Sequence, residues 1–430
     1  MNTCLSSSRI NDVGHRFVNY RQRLLYPVEQ TMTFSTSRRK LQSLPSATRN
    51  GNIVTLSAGV LVVVLAFAAF TVDIGRITLT RAQMLNACDA AAFAGAMEFV
   101  PGTGLSPILS TSSIAEESKA AARSIASENR SGDLDSTYID VAQDIRLGQY
   151  QWLSDEQRWA EVWGATPYTM IEVTVHRDRG SAVDITGQVV DGPLTLLFAP
   201  VIGHDQAGLI VTSAAAIIPG VGFKISSDSS ARANILPLAL DELSWNSILA
   251  GVGDDDYGFN GGLNEVVKSP DGILEVNMYP SGSSLLPPGN RGTVDIGHPG
   301  NSASDLIRQI REGINGDDLA WFGGEIRFDG SPLEFSGDTG ISTVIQTALK
   351  DVIGEVRAIP LFSSVSGPGN NAIYVISRFV GVRIMDVRLT GNPNARHVTV
   401  QPAPYSDSTV VNGEIEIRSD SIFTKPVLIR

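Results

Sequence analysis

The chain has 430 residues, 43% of them hydrophobic and 18% charged, with a formal net charge of −12. That length admits two or three units with real cores, and with Cys4 and Cys88 as the only cysteines a disulfide scaffold and a cysteine-based zinc ribbon are excluded. The acidic balance argues against nucleic acid as a partner, because phosphate binding needs a basic face.

The charge is unevenly spread. Residues 1–50 hold eight Lys/Arg and two acids, so this tail carries +6 and the remainder −18. No charge occurs from position 50 to 72, and sixteen of the twenty residues 53–72 are apolar. Twenty helical residues span roughly 30 Å, the hydrocarbon thickness of a bilayer. A membrane anchor crossing once is therefore expected here. A cleaved signal peptide would have a shorter apolar region. Basic flanks stay in the cytoplasm, so the tail is expected inside and the chain beyond about residue 73 outside. Met32 would give a compact basic flank, Arg38-Arg39-Lys40 to Arg49, and is the expected start of translation.

The helical pattern does not end with the membrane. Residues 71–100 lack proline and are dense in alanine, and Leu85, Cys88, Ala92, Ala96 and Phe99 recur at three-to-four spacing. Anchor and continuation are predicted to form one helix of about 45 residues, stopped at Pro101-Gly102. Ala87, Ala91 and Ala94, with Gly95 beside them, form a small-residue stripe that lets another backbone approach closely.

Asn52, Val72-Asp73-x-Gly75-Arg76, Arg81 and Leu85-Asn86-x-x-Asp89-Ala90-Ala91-Ala92-x-Ala94-Gly95-Ala96 resemble the N-terminal segment of TadE/TadG-like Flp pilus-assembly proteins. The resemblance covers about residues 50–97. It implies a bacterial inner-membrane, single-pass accessory protein of the tight-adherence pilus system, without enzymatic activity or cofactor. It also implies the bilayer and pilus-system proteins as partners, and Asp73, Gly75, Arg76, Arg81, Asn86 and Asp89 as motif positions. The bland alternative for Asp73 and Arg76 is an i,i+3 pair at the interface, and for Asp89 a solvated face. Prepilin-type processing expects Gly before the cut and Glu five residues after it, whereas Gly51 is followed by Leu56.

A second helix is expected over about 113–129, capped by Ser112 or Ser113, with Glu116 and Glu117 in its first turn. Ile171, Val173 and Val175 alternate with Glu172, Thr174 and His176, which predicts a half-buried strand. Residues 193–203 read as a short apolar helix and 209–218 as a returning strand. Residues 226–231 are a polar linker, and 251–300 are mostly loop by their Gly and Pro content. Helices are predicted over 302–314 and 342–353, and strands over 356–365, 372–378 and 380–389. The fold class is α+β: a transmembrane helix continuing into a long Ala-rich helix, then a mixed, β-rich extracytoplasmic body. The expected divisions are 1–50, 51–100, 101–220 and 232–430.

Chemistry-bearing motifs are sparse. The five histidines lack ligand spacing, and no nucleophile-elbow, zincin or Walker pattern occurs. Asp338-Thr339-Gly340 matches an aspartic-protease triplet, but the expected role is a turn before a helix, with Asp or Thr as cap. Asp254, Asp255, Asp256 and Asn260 form the best calcium candidate, against a solvated acidic turn. Asp228-Ser229-Ser230-Ala231-Arg232 and Asp329-Gly330-Ser331-Pro332-Leu333 both lack the last Ser of an Asp-x-Ser-x-Ser metal site. Two further readings stay open: a membrane-tethered hydrolase or binding protein, and a structural envelope protein unrelated to pili.

Overall fold

A computed structural model of the protein describes residues 53–103, 109–279, 291–298, 302–328, 333–367 and 369–429. The basic tail, Met32, Asn52 and the stretch 329–332 lie outside the described residues.

Alanine density and the absence of proline carry one helix, α1 (Ile53–Met97), through 45 residues. At 1.5 Å per residue it is roughly 68 Å long. It has two halves of different physics. Over 53–72 every residue is exposed except half-buried Ala69, and most of the exposed ones are apolar: Val54 is 81% and Phe67 69% exposed. This half is long and apolar enough to cross a membrane. From Asp73 onward one face is buried, through Thr80, Met84, Ala87, Cys88, Ala91, Ala92, Gly95 and Ala96. Those positions recur every three or four residues, the repeat of a single helix face. Leu85, expected on that face, is 42% exposed, and Met84 occupies the place instead.

α1 ends at Met97, and the 3-10 turn Val100–Gly102, which contains Pro101, follows it. α2 (Thr111–Ser127) then packs back against it, burying Ile114, Ser118, Ala122 and Ala126 at i,i+4 spacing. Its cap is Ser110, not Ser112 or Ser113, and no acid lies in its first turn. The Ser110 hydroxyl accepts the Ser113 amide at 3.1 Å and bonds the Ser112 and Ser113 hydroxyls, so the run of serines starts the helix earlier. Ser118 Oγ donates to the Gly95 carbonyl at 2.8 Å, joining the two helices.

The buried half of α1 lies on an antiparallel sheet. Its strands are β1 (Ile145–Leu153), β2 (Arg158–Trp163), β3 (Met170–Arg177) and, after the short pair β4 (Leu194–Thr195) and β5 (Gln206–Ala207), β6 (Leu209–Ala216). The order is β2-β1-β3-β6, followed by the two-residue strand Val427–Leu428. Ile171, Val173 and Val175 of β3 and Val211 and Ala215 of β6 share one apolar cluster with Met84, Ala91, Ala92 and Ala96. The opposite face of β3 is more covered than a half-buried strand implies. Glu172 is 6% exposed, and its Oε1 pairs with Arg146 Nη1 at 3.0 Å, while the Arg146 guanidinium lies 4.0 Å over the Trp163 ring. The predicted short helix over 193–203 is instead β4 followed by the 3-10 turn Ala199–Ile202.

The second half of the body is a mixed sheet closed on itself. Ala372–Arg388 pairs with Leu333–Thr339, then come Gly292–Val294, Leu238–Asp241 and Val356–Ser366, which pairs back onto Ala372–Arg388. Alternate side chains divide between two cores, as a period of two requires. Leu238, Leu240, Ile359 and Leu361 join Trp245, Ile310 and Leu349 from the helices, whereas Ala239, Ala358 and Phe362 join Phe335 and Tyr374. The two strands predicted over 372–389 are one of 17 residues. Phe379, the expected break, pairs with Pro360; the ladder shifts register close by, with Ser377 the extra residue on this strand and Ser363 the extra one on its partner. The helix predicted over 342–353 is the 3-10 turn Thr343–Ile345 leading into Gln346–Asp351.

Candidate functional site at the foot of the body

The most specific arrangement on α1 is at Asp73, the first residue after the apolar run. Its carboxylate is 2% exposed and accepts three consecutive backbone amides from the loop after β4. Leu197 donates to Oδ1 at 2.8 Å, and Phe198 and Ala199 donate to Oδ2 at 2.9 and 2.7 Å. Charge-assisted bonds of this kind are stronger than neutral ones. The loop then makes its 3-10 turn and closes at Gly203, whose φ of 87° suits glycine. Phe198, Ala199, Val201 and Ile202 face Ala66, Ala69 and Phe70 of α1 across a cavity of 150 Å³. Nothing local in the sequence marks this clamp, because Asp73 and Leu197 are 124 residues apart. The available signal was the uncharged apolar run 193–203 itself.

The other motif positions fall on different faces. Arg81 and Asn86 are exposed, and Arg76 and Asp89 are half-buried. Gly75 is exposed, with nothing near the place a Cβ would occupy. Among the small residues, Ala87 and Ala91 are fully buried, Gly95 is buried and Ala94 is half-buried. A Cβ at Gly95 would stand 2.4 Å from Ile171 Cδ1 and 3.0 Å from the Ser118 carbonyl oxygen. Close approach by sheet and α2 therefore depends on that glycine. Cys88 Sγ, also buried, donates to the Val173 carbonyl at 3.0 Å, which ties α1 to β3.

The acidic loop is internally satisfied at several points. Asp255 accepts the Asp271 and Gly272 amides, each at 3.0 Å, and Asn260 Oδ1 accepts those of Gly262 and Leu263. Asp254 forms an isolated bridge with Glu275. The Glu275 carboxylate accepts the Asp256 and Tyr257 amides, yet burial pushes its pKa above the ordinary value. The Tyr257 hydroxyl donates to Asp386 at 3.0 Å; burial and that bond push the phenol up to about 12. Asp386 is itself desolvated, but hydrogen bonds from His397, Tyr257 and the Val387 amide outweigh this and hold its carboxyl below the ordinary value. Among the described residues no group of three or more His, Cys, Asp and Glu is placed to hold a metal ion.

Asp338 and Thr339 end the strand Leu333–Thr339, and Asp338 is exposed. The cap of the following turn is Ser342, not Asp338 or Thr339, because two residues separate the strand's end from the cap position. Ser229 closes a local turn by accepting the Ala231 amide. A cavity of 680 Å³ has Glu242, Arg378 and Asp420 in its lining. Arg378 is paired with both acids, at 2.5 Å and 3.0 Å, and Trp245 Nε1 donates to Asp420.

The family described as putative Flp pilus-assembly TadE/G-like matches residues 51–98. That interval takes in the exposed apolar half of α1, the Asp73 clamp and the buried small-residue face. Searches of curated proteins and of solved structures found no match.

Proposed function

We propose that the protein is a non-enzymatic, single-pass membrane-anchored accessory protein of a Flp-type pilus assembly system, with its basic tail in the cytoplasm and its body outside. The observation that carries this reading is the coincidence of the family match with a helix of two halves. One half is exposed and apolar, suited to lipid; the other is small-residued and fixed to the body. The family match is to a pilus-assembly segment, and the charge asymmetry of the flanks supports that orientation. The body offers its outer surface to pilus-system proteins. A membrane-tethered hydrolase would need uncommitted acid and base groups in a cavity. In the 680 Å³ cavity Glu242 and Asp420 are held by Arg378, and Glu414 and Glu416, also in its lining, stand exposed to solvent.

The test is a pair of measurements on the native chain. A reporter active only outside the cytoplasm is expected to work when fused after Val100 and to fail after Arg49. Deleting the gene is expected to reduce Flp-type pili, with recovery on re-expression. An active Arg49 fusion would reverse the orientation, and unchanged piliation would remove the pilus role.

A further inference from the structure

We propose that the loop 196–203 is a second membrane contact, one that enters the bilayer beside α1 without crossing it; this rests on reading 53–72 as the membrane span. Height comes first. The Asp73 carboxylate ties the amides of Leu197, Phe198 and Ala199 to the level at which the apolar run ends. From that point the loop runs back along α1, where Phe198, Val201 and Ile202 share a cavity with Ala66, Ala69 and Phe70. Ala66 lies seven residues before Asp73, about 10 Å of helix. The tip thus stands beside side chains assigned to the hydrocarbon.

The side chains agree. Leu194 and Leu196 are buried in the body, whereas Leu197, Phe198, Val201 and Ile202 are 57%, 45%, 88% and 68% exposed. Four large apolar groups on one short loop form a contiguous patch, and the chain returns to water at His204 and Asp205, both exposed. The patch continues the lipid-facing surface of α1, so the occupant that fits is the boundary between headgroups and acyl chains.

The backbone agrees as well. Irregular backbone in a low dielectric needs its donors satisfied. Asp73 takes three amides, Pro200 has none to offer, and Val201, Gly203 and His204 donate to Phe198, Pro200 and Ala199 carbonyls. An ordinary solvent loop has no need of this. Two attachment points on one bilayer would fix the tilt of the body, which a single helix leaves free.

The experiment uses the full chain with Cys4→Ser, in vesicles of phosphatidylethanolamine and phosphatidylglycerol. Cys88 is buried and stays unlabelled in the native fold. An environment-sensitive fluorophore is placed by Phe67→Cys, Val201→Cys or Leu263→Cys, in separate preparations. Lipids brominated near the glycerol end of the acyl chain, and aqueous iodide, serve as quenchers. Labels at 67 and 201 are expected to lose several-fold more emission to the brominated lipid than the label at 263, and to resist iodide. Quenching at 67 with a 201 label that behaves like 263 would overturn the loop contact and leave the anchor standing. No quenching at 67 would overturn the anchor, and the proposal with it. A 201 label shielded from iodide but untouched by bromine would assign the patch to a protein partner and overturn the lipid assignment.

Discussion

Two glycines on α1 allow the packing of its outer half to be measured against an internal reference. Alanine in a helix interior is favoured over glycine by roughly 0.8–1 kcal/mol. At Gly75 a Cβ meets nothing within 4 Å, so Gly75→Ala should show that gain alone. At Gly95 the same Cβ would lie 2.4 Å from Ile171 Cδ1, 3.0 Å from Ser118 O and 3.2 Å from Ser118 Oγ. Ile171 is fully buried in β3, and the Ser118 carbonyl belongs to the backbone of α2, so neither gives way freely. Overpacking of this kind costs roughly 1–3 kcal/mol. The helix term is shared by the two variants, or smaller at Gly95 in the last turn, so subtracting them leaves the overlap. Gly95→Ala should therefore be less stable than Gly75→Ala by about 1–3 kcal/mol, and Gly95→Val lower again. Guanidinium titration of the full chain in detergent micelles, followed by circular dichroism, reads the difference. Equal midpoints for the two alanine variants would mean that α1 does not lie on the sheet as described.

Asp73→Asn keeps one acceptor and turns a second position into a donor facing amide donors. Hydrogen exchange at Leu197, Phe198 and Ala199 is expected to quicken; unchanged exchange would show that the carboxylate does not hold the loop. Asp386 supplies a pH dependence. Its folded pKa lies below the ordinary carboxylate value, so its contribution to stability is complete above about pH 4 and is lost as pH falls through the lowered value. Asp386→Asn should accordingly be less stable than the native chain at neutral pH, and the gap should narrow on acidification below about pH 4. A gap that widens in acid would contradict the sign.

What could be read beforehand follows the range of the interactions. α1 was legible because its signals are local: an uncharged apolar run, alanine density and Pro101. The face it buries was only partly legible, since Leu85 and Met84 are adjacent and only the sheet selects Met84. Ser110 lost to Ser112 and Ser113 as the expected cap because hydroxyls two and three residues apart are equivalent on paper. Phe379 follows an extra residue, Ser377, in its own strand, which resets the alternation without ending the strand. The Asp73 clamp joins segments more than a hundred residues apart, and its donors are backbone amides, which carry no residue-type signature. Two-residue strands such as β4 and Val427–Leu428 leave no periodicity to detect.

The small strand Val427–Leu428 has a consequence for the order in which the molecule is made. It pairs with Ala215 and Ala216, next to the strand that receives α1. About two hundred residues of synthesis separate those partners, and closing so large a loop is slow even where its equilibrium cost is modest. α1 leaves the ribosome well before the strand that pairs with the edge of the sheet beneath it. Through that interval the small-residue face of α1 waits beside an unfinished sheet with an open edge. Unpaired edges of this kind are where wrong strands join. Pairing of Val427 and Leu428 with Ala216 and Ala215 is thus the step that covers this part of the edge.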